Sequence, residues 1–402
     1  MKSLRSTFKE VARVFGTPTY AYDESEIRAQ FHSLVSSIHY HPKKILYAMK
    51  ANFNPHIIEI FKELGAGIDA VSPGELFLAR NKDFFSVFTG NNATAEEMDI
   101  AYINADFINI DSLSALEKFG KKYSHKPVGI RINPDVGAGH HDHCITGGPK
   151  SKFGIWYSEL GKAKRIADKH NLRIVGIHQH IGSQILEVDK FELAMDVLLK
   201  EARRFPELKV INFGGGFGVP YRPEEKPLPI AVLGRRMSDC FFDFCGKYGR
   251  RLILMIEPGR YLIAESGWLL TRVNTIKRNP NGRTFIGVDS GFNHLLRPAM
   301  YGSYHHIINV SNPEGRKEVV DVVGNICESG DKFAEEREIA EPRGGDLLAI
   351  ATAGAYGYSM ASNYNLRGLP AEVLIKPDGN IKLIRERESN ETLIRRITGG
   401  VL

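Results

Sequence analysis

Six short segments of this chain carry residues whose types and spacing could do covalent or metal chemistry. The first, Tyr47-Ala-Met-Lys-Ala-Asn52, closes an apolar run on a lysine. A lysine there is ordinarily solvated or snorkelling. Turned inward, it loses water, its pKa falls, and the amine becomes a nucleophile toward an aldehyde. The second, His178-Gln-His-Ile-Gly-Ser183, sets two histidines on one side of an extended strand. That spacing suits a paired metal site, or a satisfied core histidine beside a stacking ring. The third, Gly214-Gly-Gly216, is a tight turn or a place where backbone N–H groups close on an anion. The fourth, Glu257-Pro-Gly-Arg260, follows an apolar run. Its carboxylate either pairs with Arg260 or keeps a ring nitrogen protonated. The fifth, Cys327-Glu-Ser-Gly-Asp331, surrounds a thiol with polar residues, which favours a turn over a core. The sixth, His140-His-Asp-His-Cys144, looks metallic but has no second ligand cluster nearby, so no metal is expected.

Such residues need a scaffold that gathers them. Eight short apolar or β-branched runs recur: Ile45–Met49, Ala66–Val71, Phe84–Thr89, Phe107–Ile110, Val128–Ile132, Ile174–His178, Lys209–Phe213 and Leu252–Ile256. Segments with helical spacing lie between most of them, such as Pro55–Leu64, Gly74–Asn81, Ala93–Ile103 and Lys190–Phe205. This alternation predicts parallel βαβ units and a (β/α)8 TIM barrel over 26–262. An open doubly wound sheet is the alternative, but no GxGxxG follows the first strand. A barrel of this kind works at the C-terminal ends of its strands. Lys50, Asp69 and Glu75, Arg131, His178 and His180, Gly214–Gly216, and Glu257–Arg260 all fall at such ends. One connection, between Ile132 and Ile174, is unusually long, which marks it as functional or disordered.

Beyond residue 262 the rhythm changes. Leu269–Ile276, Thr284–Val288, His306–Val310, Glu318–Val323, Leu347–Ala351, Ala371–Ile375 and Ile381–Arg385 read as strands separated mostly by turns. They predict an antiparallel β-domain made of residues 1–25 and 263–402, with Thr19–Tyr22 joining it. Apolar residues at 43% and charged residues at 25% of 402 exclude disordered and fibrous classes. A net charge of +6 is scattered along the chain, so neither nucleic acid nor a membrane surface is an expected partner. The first residues have no apolar core of signal-peptide length, and four cysteines without a CxxC pair point to a reducing compartment. A cytoplasmic protein is expected.

Taken in order, YAMKAN, SKFGI, HQHIGSQ, GGGFG, EPGR, RPAMY, CESGD and GAYGYSMASNYN resemble the diaminopimelate decarboxylases. These are pyridoxal-phosphate enzymes of fold type III, within the ornithine–diaminopimelate decarboxylase family, with an alanine racemase-like barrel and a C-terminal β-domain. The likeness runs from Thr17 to the last strand. It implies that Lys50 bonds to the aldehyde of pyridoxal 5'-phosphate and that His180 stacks on the ring. Ser183, Gly214, Gly215, Gly216 and Arg260 would surround the phosphate, with Tyr356 closing over it, and Gly259 would also be among the cofactor-binding residues. Glu257 would pair with the pyridine nitrogen, and Asp69, Glu75 and Arg131 would lie near the cofactor. Cys327 would donate the proton after carbon dioxide leaves. In this family that loop comes from the neighbouring subunit, so the resemblance implies a homodimer with shared active sites.

The implied reaction is decarboxylation of meso-2,6-diaminopimelate to L-lysine, the last step of bacterial lysine biosynthesis. The substrate-binding residues would be Arg260, Arg297, Tyr301, Glu328 and Tyr356. Arg297 and Arg260 are cations for a distal carboxylate, Tyr301 offers a hydroxyl, and Glu328 is an anion for a distal ammonium. Leaving a buried Arg297 without a carboxylate costs ~1–3 kcal/mol, which disfavours simple diamino monoacids. The alternative is the same fold acting on ornithine, arginine, lysine or carboxynorspermidine. A racemase needs a second base on the opposite ring face, commonly a tyrosine, and Cys327 speaks against it. A metal-dependent hydrolase would use His178 and His180. A non-catalytic relative should have lost Lys50 or Cys327. Met49, Gln179, Asn325-Ile326 and Gly330 depart from the family pattern, and the His140–Cys144 loop matches its variable lid only in part.

Overall fold

Apolar runs of four to six residues become parallel strands when both of their faces are covered, and their burial is then continuous and not alternating. The computed structural model, which describes residues 2–139, 141 and 146–400, has this pattern. Apart from His141, the His140–Cys144 cluster lies outside the described residues. The chain forms two compact units. One comprises Ala29–Val219 and Lys226–Leu262, the other Met1–Arg28, Pro220–Glu225 and Ile263–Leu402.

In chain order the strands are β1 (Thr19–Asp23), β2 (Lys43–Ala48), β3 (Gly67–Ala70), β4 (Ser86–Phe88), β5 (Phe107–Ile110), β6 (Pro127–Asn133), β7 (Ile155–Trp156), β8 (Arg173–His178), β9 (Val210–Asn212) and β10 (Ile253–Ile256). They continue with β11 (Gly267–Arg278), β12 (Thr284–Val288), β13 (Ile307–Asn309), β14 (Lys317–Val323), β15 (Lys332–Ala340), β16 (Leu347–Ile350), β17 (Ala371–Ile375) and β18 (Ile381–Arg385).

The first unit is a closed parallel barrel in the order β5-β4-β3-β2-β10-β9-β8-β6, with β6 returning to β5. The short β7 pairs onto β6. Each expected barrel run is present. Helices follow strands through tight, capped turns. Asn54 caps Pro55–Glu63, Ser72 caps Pro73–Asn81, and Thr94 with Glu97 forms a capping box on Ala95–Asn104. Each cap satisfies N–H groups that the first turn leaves unpaired, which fixes where the helix starts. The helix Pro55–Glu63 buries Ile57, Ile58, Ile60 and Phe61. Phe61 stacks on Tyr47 of β2 at 3.9 Å between ring centroids. Truncating Phe61 to alanine would cost about 3–5 kcal/mol. Within the long Ile132–Ile174 connection lie β7 and the helix Leu160–Lys169.

The second unit is a sheet in the order β15-β14-β12-β11-β1-β17-β18, with β16 joining β11 and β13. The N-terminal strand enters it as expected. It is antiparallel to β11 and parallel to β17. A second parallel pair, β12 with β14, makes this sheet mixed where a purely antiparallel one was expected. The strand β15 was missed because KFAEEREIA reads as a charged surface. Its exposed residues are charged, while Phe333, Ala334, Ile339 and Ala340 are buried. The helix Lys2–Phe15 was missed too. It packs Phe8, Val11 and Ala12 against Ala21, Leu270 and Val373.

A candidate active site at the barrel rim

Lys50 lies in a single 3-10 turn, Met49–Ala51, directly after β2. Its Nζ is bonded to Oδ2 of Asp69 on the adjacent β3. The lysine side chain is 35% exposed and the aspartate is buried. The amine is therefore not stripped of water, as the sequence suggested; it is paired with a carboxylate. Burial and the nearby Glu257 push Asp69 above its ordinary pKa, while Lys50 opposes that rise.

Glu257 follows β10 and is buried. His178 Nε2 lies 2.9 Å from its Oε2, and Asn212 Nδ2 donates to its Oε1 at 2.7 Å. Burial alone would raise its pKa, but His178, Lys50 and His180 bring it down to about 2. Glu257 is thus a held carboxylate whose partners are His178 and Asn212 and not Arg260. His180 Nδ1 accepts a hydrogen bond from Gly215 N at 3.1 Å, so its proton sits on Nε2. Desolvation, then Arg131 and Lys50, hold its pKa well below the usual histidine range. Among the described residues no group of three or more His, Cys, Asp or Glu is placed to hold a metal ion.

Arg131, on β6, is buried with its guanidinium 4.4 Å from the Phe153 ring centroid. Its Nη2 and the Oδ1 of Asp69 are buried without hydrogen-bond partners. These side chains line a cavity of about 350 Å³. Glu75 bonds the Val71 amide at 2.8 Å and is raised by burial.

Beside them is a backbone cradle. Gly214 and Gly216 have φ of +71° and +103°, which side chains rarely adopt. A Cβ at 214, 215 or 216 would press on the carbonyl oxygens of Gln179, Glu257 and Gly182 respectively. Arg260 is buried and donates from Nη2 to Ser183 Oγ at 3.0 Å. A Cβ on Gly259 would sit 3.1 Å from the Cβ atoms of Ala48 and Ala51, so this glycine allows close packing on β2.

The remaining expected residues belong to the second unit. Arg297 is buried and opens the helix Arg297–Tyr301. Its Nη2 donates to Ser303 Oγ at 3.1 Å, and its guanidinium lies 5.2 Å from the Tyr221 ring and 5.7 Å from that of Tyr301. Cys327 and Glu328 are exposed on the loop between β14 and β15. Asp331 shapes that loop by accepting from Phe292 N at 2.6 Å and Ile326 N at 2.7 Å. Asn365 Oδ1 accepts from Cys327 N at 2.8 Å. Tyr356 is half-buried at φ +56°, a left-handed backbone that a bulky residue adopts at a cost. Sequence reasoning missed Asn212, and it held Asn365 only as the last residue of the GAYGYSMASNYN segment. A polar residue inside the apolar run Lys209–Phe213 was the available signal for Asn212.

The unpartnered Arg131 and Asp69 atoms, the amine at Lys50, the carboxylate at Glu257 and the glycine cradle fit one flat, phosphorylated group bearing an aldehyde. Barrel and site together define an enzyme that works through such a group. The chain matches the family described as pyridoxal-dependent decarboxylase, pyridoxal binding domain, over residues 24–264. It is 45% identical to the diaminopimelate decarboxylase of Methanothermobacter thermautotrophicus, over 96% of this chain and 92% of that protein. It is 40% identical to that of Aquifex aeolicus, over 96% and 93%. The crystal structure of diaminopimelate decarboxylase from Helicobacter pylori complexed with L-lysine superposes with a TM-score of 0.89 at 32% identity, covering 98% of this chain and all of that one. The chain belongs to the pyridoxal-dependent decarboxylases, and its cofactor is pyridoxal 5'-phosphate.

Proposed function

We propose that this enzyme decarboxylates meso-2,6-diaminopimelate to L-lysine and carbon dioxide. The observation that carries the reading is full-length similarity, at 36–45% identity, to proteins named for that reaction. Bound pyridoxal phosphate supplies the electron sink for the pair left on the α-carbon when the carboxylate departs. The chain's residues do the rest. Lys50 would bond the cofactor's aldehyde, and Gly214, Gly215 and Gly216 with Ser183, Gly259 and Arg260 would hold its phosphate. Glu257 would keep a proton at the ring nitrogen. His180, held neutral, would stack on the ring without adding a charge to compete with that proton. Arg297, Tyr301, Glu328 and Tyr356 recognise the substrate's distal amino acid group.

Cys327 gives its thiol proton to the α-carbon and regains one from solvent. Its exposure, beside the exposed Tyr364 and Leu366 flanking Asn365, supports a homodimer in which this loop completes the partner's site. Among the described residues no helix is long and apolar enough to cross a membrane. A cytoplasmic location without nucleic-acid partners accords with this reading. The test is to supply pyridoxal phosphate and meso-diaminopimelate and assay lysine. Faster release of carbon dioxide from ornithine would overturn the substrate assignment in favour of a related decarboxylase.

A further inference from the structure

The Glu257 carboxylate is not held by histidine alone. Asn212, the last residue of β9, is buried at the C-terminal end of its strand. Its Oδ1 accepts from Gly214 N at 2.9 Å, and its Nδ2 donates to Glu257 Oε1 at 2.7 Å. The amide has only one orientation available. A backbone N–H can only donate, so the oxygen must face Gly214 and the NH2 must face Glu257. That NH2 in turn requires an acceptor, which an ionised carboxylate is. A reciprocal bond, Glu257 N to Gly214 O at 2.8 Å, ties the same two segments through the backbone. The glycine turn and the carboxylate are therefore linked through one carboxamide.

We propose that Asn212 is a positioning residue of the reaction. Its carboxamide locks the plane of the Glu257 carboxylate to the glycine turn, and the site requires an amide or a protonated acid there. The inference rests on the assignment of Glu257 to the ring nitrogen and goes beyond it. His178 occupies the other oxygen, so both carboxylate oxygens are fixed. The remaining charged or titratable groups facing this pair are Lys50, Asp69, Arg131 and His180.

The discriminating variant is Asn212→Asp, which has the same shape. While protonated, the new carboxyl can still donate to Glu257 and accept from Gly214. Once ionised, it sets a second anion against Glu257 and the clamp opens, because like charges at hydrogen-bond distance do not coexist. The expected result is a new descending limb in the pH profile. Turnover and the absorbance band of bound pyridoxal phosphate should approach wild type in acid. Both should fall roughly ten- to hundredfold as pH rises, the scale of one lost charge-assisted hydrogen bond. Affinity of the cofactor-free chain for pyridoxal phosphate, measured by fluorescence titration, should show the same limb. Asn212→Leu should lose affinity and turnover at every pH. If that variant does not fold, the aspartate profile still decides. Profiles of the Asn212→Asp variant parallel to wild type in all three readouts would overturn the proposal. Glu257→Gln is the control: if it leaves the band and turnover intact, the Glu257 assignment fails instead.

Discussion

Lys50 Nζ is bonded to the buried carboxylate of Asp69, and this contact governs how the amine can react. Nitrogen must shed protons before it can bond to an aldehyde carbon. Asp69 is the base in contact, and burial together with Glu257 already raises its proton affinity. Asp69→Asn should therefore slow the appearance of the bound-cofactor absorbance band by about a hundredfold or more, the usual worth of a positioned base. Stopped-flow absorbance checks this. Lys50→Ala should abolish the band and all turnover, and retained turnover would remove Lys50 from its assigned role.

The Gly215 amide donates to His180, so this ring should stay neutral throughout the working range. Its pKa is held well down, first by desolvation and then by Arg131 and Lys50. Histidine-selective NMR should show no titration of this ring between about pH 5 and 8, where a free imidazole titrates. A shift in that interval would mean a cationic ring, unsuited to lying against a protonated pyridine.

Glu257 makes the stability of the cofactor-free protein depend on acid. Its folded pKa is depressed from the ordinary 4.5 to about 2, because His178, Lys50 and His180 outweigh burial. An acid with a depressed folded pKa stabilises the fold above its unfolded pKa, and that contribution is lost as pH falls through the folded value. The contribution is on the order of 3 kcal/mol. Wild type should therefore lose stability relative to Glu257→Gln as pH drops from 4.5 toward 2. Denaturant titrations at several pH values measure the difference. A constant gap would show that the carboxylate is not held in its charged form.

Cys327 hangs from Asn365 by its backbone amide, while its side chain is exposed. Cys327→Ala should keep the fold and the bound cofactor yet turn over poorly, because only the proton donor is removed. An unaffected rate would take the thiol out of the reaction.

The barrel was legible because its strands are buried on both faces, so Ile45–Met49 or Phe107–Ile110 announce themselves as unbroken apolar runs. The rim residues were legible because each follows such a run directly. What escaped detection took its order from partners that composition and periodicity do not reveal. The strand Lys332–Ala340 is charged on its exposed side and gains its order from β14. Asn212 looks like an interruption until Glu257, 45 residues later, is seen to bond it. That Glu257 bonds His178 in place of Arg260 also needed geometry. The sequence offered Arg260 as the nearby partner, and only the closed sheet brings His178 Nε2 to 2.9 Å.

Arg297 offers the sharpest test of substrate choice. It is buried, and Ser303 Oγ at 3.1 Å is a neutral acceptor for its guanidinium. The rings of Tyr221 and Tyr301 offer their π-faces, which hold a guanidinium in place without neutralising it. A distal carboxylate would bond this guanidinium, and a substrate with only a distal ammonium would not. Arg297→Met keeps much of the volume and removes the charge. It should lower kcat/KM for meso-diaminopimelate roughly ten- to a thousandfold, the value of ~1.5–4 kcal/mol in charge-assisted bonding. Activity toward ornithine, which has no distal carboxylate to lose, should fall much less. Competition between the two substrates in one vessel, followed by lysine and diamine release, measures the ratio directly. An equal loss on both substrates would assign Arg297 to the fold and not to recognition of the distal end.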